Sequence, residues 1–132
     1  MTRHTLLLTL TLALAGTAGL AQATTASELL ADYSRQAGSA AAAARGQALF
    51  TTTHGREWSC ASCHGSTPVA GGKHASTGKP IGALAPAANA ERFTDPAKVE
   101  KWFRRNCNDV LGRECAPAEK ADVLAWLMTL KP

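Results

Sequence analysis

Cys60-Ala61-Ser62-Cys63-His64 is the stretch on which the reading of this chain turns. Two cysteines with two residues between them, and a histidine directly after the second, form the C-x-x-C-H pattern of covalent haem c attachment. The spacing lets both thiols add to the two vinyl groups on one porphyrin edge. The next residue reaches under the ring, which makes His64 the expected proximal ligand of the iron. Zinc sites and dithiol redox centres also use C-x-x-C. Here the histidine adjoins the second cysteine, and no strand-helix-strand pattern surrounds the motif as a thioredoxin-like site requires.

Haem c attachment takes place outside the bacterial cytoplasm, so the motif asks for an export signal. Arg3 and His4 precede an apolar run from Leu6 to Leu20, and Ala21-Gln22-Ala23 offers a small-x-small cleavage site. Residues 1–23 are read as a cleaved signal peptide and 24–132 as one monohaem domain in the periplasm. An uncleaved anchor is the rival, but the run carries Thr9, Thr11, Gly16, Thr17 and Gly19 and is short for a span of about 20 residues. Cleavage leaves 109 of the 132 residues with a formal charge of +3. A peptide core of that size is small, so a large apolar cofactor would supply much of the interior. The charge is mildly basic, with no aromatic-interleaved patch of the kind nucleic acid demands. Lys73, Lys79, Arg92, Lys98, Lys101, Arg104 and Arg105 are either a solvated surface or a docking face for an acidic redox partner.

Downstream of the leader, Ser27 to Ala37 reads as a short helix, capped by Ser27, with Leu29, Leu30, Tyr33 and Ala37 on one face. A second helix runs through the alanines to about Thr52. Gly46 and Phe50 share its face, and Gly46 is a place where another helix can approach closely. From Gly65 to Asn89 glycines and prolines erase every helix or strand period. A loop this long is expected to wrap the porphyrin edge and to hold His64 through a carbonyl on its other ring nitrogen. Asp95-Pro96 starts a third helix with Val99, Trp102, Phe103 and then Asn106 along one face. The last helix opens at Pro117 and runs to about Leu130, with Trp126 on a flank. Ala116 at its cap position forgoes about 1 kcal/mol of capping.

Function depends on the opposite side of the iron. A methionine there makes an ordinary carrier of raised potential, but Met128, the one methionine beyond the leader, reads as a core filler beside Leu124. His54 and His74 are candidates for a closed bis-histidine carrier, and each also reads as a solvated loop histidine. Asn106, at the expected end of the third helix, is either a distal ligand or a C-cap. Cys107 and Cys115 follow it. Both are spare once the haem takes Cys60 and Cys63, and an oxidising compartment favours pairing them. The chain-entropy estimate for a nine-residue loop is roughly 2.6 kcal/mol. Two free thiols or a zinc site made of all four cysteines are the alternatives; the second lacks close spacing in its second half.

The run Arg105-Asn106-Cys107-Asn108-Asp109-Val110-Leu111-Gly112-Arg113-Glu114-Cys115, with Pro117 and Glu119-Lys120-Ala121-Asp122 after it, resembles the Sphaeroides haem protein family of high-spin class I cytochromes c. Glu91-Arg92-Phe93-Thr94-Asp95 and Val99-Glu100-Lys101-Trp102 are similar to the same family. The likeness covers nearly the whole chain beyond the leader. It implies an all-α class I cytochrome c fold, about four short helices around one covalently attached haem c. It implies Cys60, Cys63 and His64 as the haem-binding residues, Asn106 as the distal iron ligand and a Cys107–Cys115 disulfide. It further implies binding of O2 or another diatomic ligand (NO, CO) on reduction, and a redox-partner cytochrome, dihaem cytochrome c or membrane cytochrome b. An amide oxygen is a hard, neutral, weak ligand that suits ferric iron better than ferrous, so reduction is expected to release Asn106. The other expectations are an oxidoreductase acting on O2, peroxide or a nitrogen oxide, and the closed bis-histidine shuttle.

Overall fold

The computed structural model describes residues 23–132. The expected leader, apart from Ala23, lies outside the described residues. Among them no helix is long and apolar enough to cross a membrane. The elements are α1 (Ala26–Ala37), α2 (Ala43–Thr51), α3 (Ala61–His64), β1 (Gly72–Lys73), β2 (Pro80–Ile81), α4 (Pro96–Leu111) and α5 (Pro117–Leu127).

α1 is capped by Thr25, two residues before the expected Ser27 cap. Thr25 Oγ1 accepts the Glu28 N–H at 3.2 Å and Glu28 Oε2 accepts the Thr25 N–H at 2.7 Å, a reciprocal pair that satisfies two otherwise orphaned donors. Leu29 and Tyr33 are the buried residues of its inner face. α2 has no side-chain cap of its own. Its cap comes from α5: Asp122 Oδ1 accepts the Ala42 N–H at 2.6 Å, and Arg45 donates to both carboxylate oxygens at 2.7 and 2.9 Å.

α2 crosses α5 at Gly46, where a Cβ would overlap the Asp122 carbonyl. This is the close helix approach that the glycine led one to expect. Beside the crossing, Phe50 and Trp126 pack with ring centroids 4.9 Å apart. Trp126 is therefore a core residue, 5 % exposed, and does not lie on a flank. α1 also packs on α5, so α5 is the hub, with Ala121, Val123, Leu124 and Leu127 all buried. It ends at Leu127, short of the expected Leu130. Its start has no side-chain cap, as expected of Ala116, while Glu119 Oε2 reaches back to accept the Ala116 N–H at 2.8 Å.

Candidate functional site

The C-x-x-C-H motif forms one helical turn, α3. Cys60 O accepts from the N–H groups of Cys63 and His64 at 3.2 and 3.1 Å. Helical spacing puts positions i, i+3 and i+4 on one face, so Cys60, Cys63 and His64 point the same way. Ser59 and Ser62 tie the start of the turn: the Ser59 N–H donates to Ser62 Oγ at 3.0 Å. β1 backs the turn from outside, for a Cβ at Gly72 would run into the Cys63 carbonyl and meet His64 Cα. The Ala75 N–H, just beyond β1, donates to Cys63 Sγ at 3.3 Å. Neither Gly72 nor the serine pair was singled out from sequence; Gly71-Gly72, just after the motif, was the available signal. The two-stranded β1–β2 hairpin, Gly72 opposite Ile81, is the order that the loop's composition concealed.

Cys60, Cys63 and His64 line a cavity of about 580 Å³, within the range of cofactor sites. Its walls come from four places. Leu49 and Phe50 are the contribution of α2, and Ile81 and Leu84 that of the long loop; Trp102, Phe103 and Asn106 stand on α4, and Val123 and Leu127 on α5. Phe93 also lines it, 8 % exposed, with a φ of 64° that a bulky residue rarely adopts. Trp102, expected on the buried face, is 43 % exposed: it lines the cavity and reaches the surface.

Burial, and after it the Arg92 guanidinium, hold His64 below the usual histidine range, so its imidazole is neutral at pH 7 with a lone pair to give. Burial pushes the Cys60 thiol up to about 11. Arg92 is not a surface cation of a docking face. It donates to the carbonyls of Ala83 (2.8 Å) and Gly82 (2.9 Å) and fastens the loop over the cavity. The loop carbonyl expected on His64 is not found among the described residues. Pro68, fully buried, directs its carbonyl to the N–H groups of Leu84 and Ala85 instead, both at 3.0 Å.

Asn106 lies within α4, with five more helical residues after it before the αL cap at Gly112, so it does not cap a helix. Asn108 and Asp109 are helical too. Asn108 directs its amide to the Arg104 carbonyl at 2.7 Å. The Asn106 amide makes no hydrogen bond among the described residues and stands on the cavity wall. Cys107 and Cys115 are disulfide-bonded, Cα to Cα 5.6 Å, joining the last turns of α4 to the segment before α5. Cys60 and Cys63 are unpaired.

The other candidates separate. His54 Nε2 donates to the Leu49 carbonyl at 2.9 Å, and His54 is not among the cavity-lining residues. His74 lines the cavity, with Nδ1 accepting the Thr77 N–H at 3.3 Å. Met128 packs against the core cluster. Asp109, a carboxylate on α4 one turn beyond Asn106, lines the cavity as well.

These residues fit a haem c. Two unpaired thiols three residues apart and a neutral histidine stand on one wall of a largely apolar cavity of the right size, with a neutral oxygen donor on another wall.

Comparison with known proteins points to cytochromes c. Residues 36–127 match the family model described as a domain of unknown function, DUF1924. The cytochrome c-type protein SHP of Cereibacter sphaeroides is 52 % identical over 124 residues, covering 91 % of this chain and 95 % of that protein. The structure of oxidized SHP, an oxygen-binding cytochrome c, superposes with a TM-score of 0.76 at 49 % identity, over 81 % of this chain and 98 % of that one. The solution structure of Methylophilus methylotrophus cytochrome c'', which bears on haem-ligand detachment in that protein, gives a TM-score of 0.70 at 38 % identity over 79 % and 92 % of the two chains. The chain has the all-α fold of these cytochromes and belongs to the Sphaeroides haem protein family.

Proposed function

We propose that this chain is a periplasmic monohaem cytochrome c, exported by a cleaved leader over residues 1–23, that accepts an electron and then admits a diatomic ligand. Cys60 and Cys63 hold one haem c covalently, His64 is its proximal ligand and Asn106 its distal one. The observation that carries the reading is that Asn106, from α4, lines the same cavity as Cys60, Cys63 and His64. Held by Cys60, Cys63 and His64, haem c would supply a redox-active iron able to take protein and small-molecule donors.

The chain's own residues account for the rest. His64, kept neutral by burial, offers its lone pair without first losing a proton. The Asn106 oxygen is a weak donor that favours the ferric state, so Asn106 withdraws on reduction and leaves room for O2, NO or CO. Its amide NH2 is then free to donate a hydrogen bond to the guest. Phe103 and Trp102 make that part of the wall apolar. The Cys107–Cys115 bridge, directly after Asn106, keeps the end of α4 in place while the side chain moves.

The electron donor is another cytochrome, a dihaem cytochrome c or a membrane cytochrome b, with an acidic face. Lys79, Lys98 and Arg105 line the cavity, Lys101 neighbours them on α4, and none of the four belongs to the five ion pairs among the described residues. Arg104, by contrast, pairs with Glu114 at 3.1 Å and leaves the expected docking set. Opposite charge on a partner around such a mouth speeds encounter.

Asp109 supports a second reading. A carboxyl group on the cavity wall is the kind of side chain through which an oxidoreductase acting on O2, peroxide or a nitrogen oxide relays protons.

Optical spectra of the ferric, dithionite-reduced and CO-treated holoprotein test the proposal. Immediate CO binding by a high-spin reduced form, with a changed ferric spectrum in Asn106→Ala, is the expected result. Sharp six-coordinate low-spin bands that ignore CO overturn it and point to His74 as the distal ligand.

A further inference from the structure

α4 carries the distal residue, yet it is fastened to the bundle differently from the other long helices. α1 and α2 lie extensively against α5, whereas among the described residues α4 has no comparable backbone contact with another helix. Side chains moor it. Toward its C-terminal end the moorings are the Cys107–Cys115 bridge, the Arg104–Glu114 pair and the Arg56 guanidinium on the Asp109 carbonyl at 3.4 Å. In its N-terminal half there is a junction of three elements. Glu100 of α4 accepts the Tyr33 hydroxyl of α1 at 2.6 Å through Oε1 and the Lys120 ammonium of α5 at 2.6 Å through Oε2.

The junction touches the cavity through one side chain. The Lys120 ammonium sits 5.5 Å from the centre of the Tyr33 ring and 5.9 Å from that of Phe103. Tyr33 meets Phe103 edge to face, with centroids 5.9 Å apart. Phe103 lines the cavity, and Asn106 is the next residue along the same helix face, three positions on. Tyr33 is 2 % exposed and the Lys120 side chain 12 %, whereas the Glu100 side chain is 41 % exposed, so the cluster is shielded from water on the Tyr33 and Lys120 side and open to it at Glu100.

We propose that Glu100, with Tyr33 and Lys120, is the positioning group of the distal side: it holds α4 in the place where Asn106 reaches the cavity, and so sets how readily Asn106 withdraws. The inference rests on Asn106 being the distal ligand. Removing the Glu100 carboxylate cuts both ties at once and loosens the N-terminal half of α4, while α2 and α5 keep their own crossing. Glu100→Gln retains an acceptor for Tyr33 and loses the charge that holds Lys120, so its effect falls between those of the wild type and Glu100→Ala.

The test uses the holoprotein with Glu100→Ala, Glu100→Gln, Tyr33→Phe and Asn106→Ala, and with the double variant Glu100→Ala/Asn106→Ala. Three quantities are read: the ferric spectrum, the midpoint potential, and amide hydrogen exchange in each helix. In Glu100→Ala, α4 amides are expected to exchange about tenfold faster or more, with α2 and α5 unchanged. Its ferric spectrum and potential are expected to move toward those of Asn106→Ala, with Glu100→Gln intermediate. In the Asn106→Ala background the Glu100 substitution should change neither spectrum nor potential further, since the group acts through Asn106. An unaltered spectrum and potential in Glu100→Ala, while Asn106→Ala alters both, overturns the proposal and leaves the ligand assignment standing. Equal acceleration of exchange in every helix overturns it too, as a general loss of stability. A wild-type spectrum in Asn106→Ala overturns the ligand assignment itself.

Discussion

Replacing Asp122 by alanine removes the support that α5 gives to the start of α2. Asp122 is 6 % exposed and makes three hydrogen bonds, one from the Ala42 N–H at 2.6 Å and two from Arg45 at 2.7 and 2.9 Å. The terms differ in size. A hydrogen bond from a partly buried backbone N–H to a carboxylate contributes about 1.5–3 kcal/mol. The Arg45 side chain is 60 % exposed, so its ion pair is screened by water and adds only about 0–1 kcal/mol. Arg45 also stands in the first turn of α2, where the helix dipole disfavours a cation, and Asp122 offsets that. The expected cost of Asp122→Ala is therefore about 2–4 kcal/mol. Asp122→Asn keeps an acceptor for Ala42 and loses the charge, and should cost about 1–2 kcal/mol. Urea unfolding of the holoprotein, followed by far-ultraviolet circular dichroism at pH 7, measures both. If Asp122→Asn costs as much as Asp122→Ala, the charge on Arg45 carries the interaction and the weighting is wrong. If Asp122→Ala costs less than 1 kcal/mol, α2 does not depend on this cap at all.

Gly46→Ala should destabilise by about 1–3 kcal/mol, because its Cβ meets the Asp122 carbonyl and forces two packed helices apart; thermal unfolding of the holoprotein measures it. The Arg113 hydrogen bond holds the Glu119 carboxyl below its ordinary value of 4.5, with the Ala116 N–H helping against burial. A depressed native value stabilises above the unfolded value and is lost as pH falls through the native one, so stability should drop below about pH 4.5. Glu119→Gln should flatten that drop in urea titrations between pH 3 and 6, and an unchanged slope refutes the assignment. Replacing both Cys107 and Cys115 by alanine should cost about 2–3 kcal/mol by the loop-entropy estimate and broaden the ferric spectrum by loosening the end of α4; a spectrum identical to wild type separates the bridge from the distal site. Gly72→Val should lower the yield of covalently attached haem per chain, read from the pyridine haemochrome, because the turn that carries Cys63 and His64 cannot keep its place against β1.

Local patterns in the chain determined the haem motif, the start of α4 at Asp95-Pro96 and the close approach at Gly46. In each the residues that matter are neighbours in sequence: two thiols and an imidazole within five positions, a cap beside a proline, a glycine one turn before a phenylalanine. Resemblance added the family, and with it the choice of Asn106 as distal ligand over a C-cap. What joined distant positions stayed out of reach of any local period. Asp122 reads as one more polar residue near the start of a helix until α5 brings it under Ala42, 80 positions away. Arg92 reads as a surface cation until Gly82 and Ala83 turn their carbonyls toward it. Glu100 joins Tyr33 and Lys120 across 67 and 20 positions. Asn106 was named from its place on the face of Trp102 and Phe103, at the expected end of the helix, but its position well inside a helix and on the cavity wall required α4 to run on to Leu111. Periodicity reports which face of an element is apolar. A buried carboxylate or guanidinium is decided by which partner the folded chain delivers to it, and that is a property of tertiary structure alone.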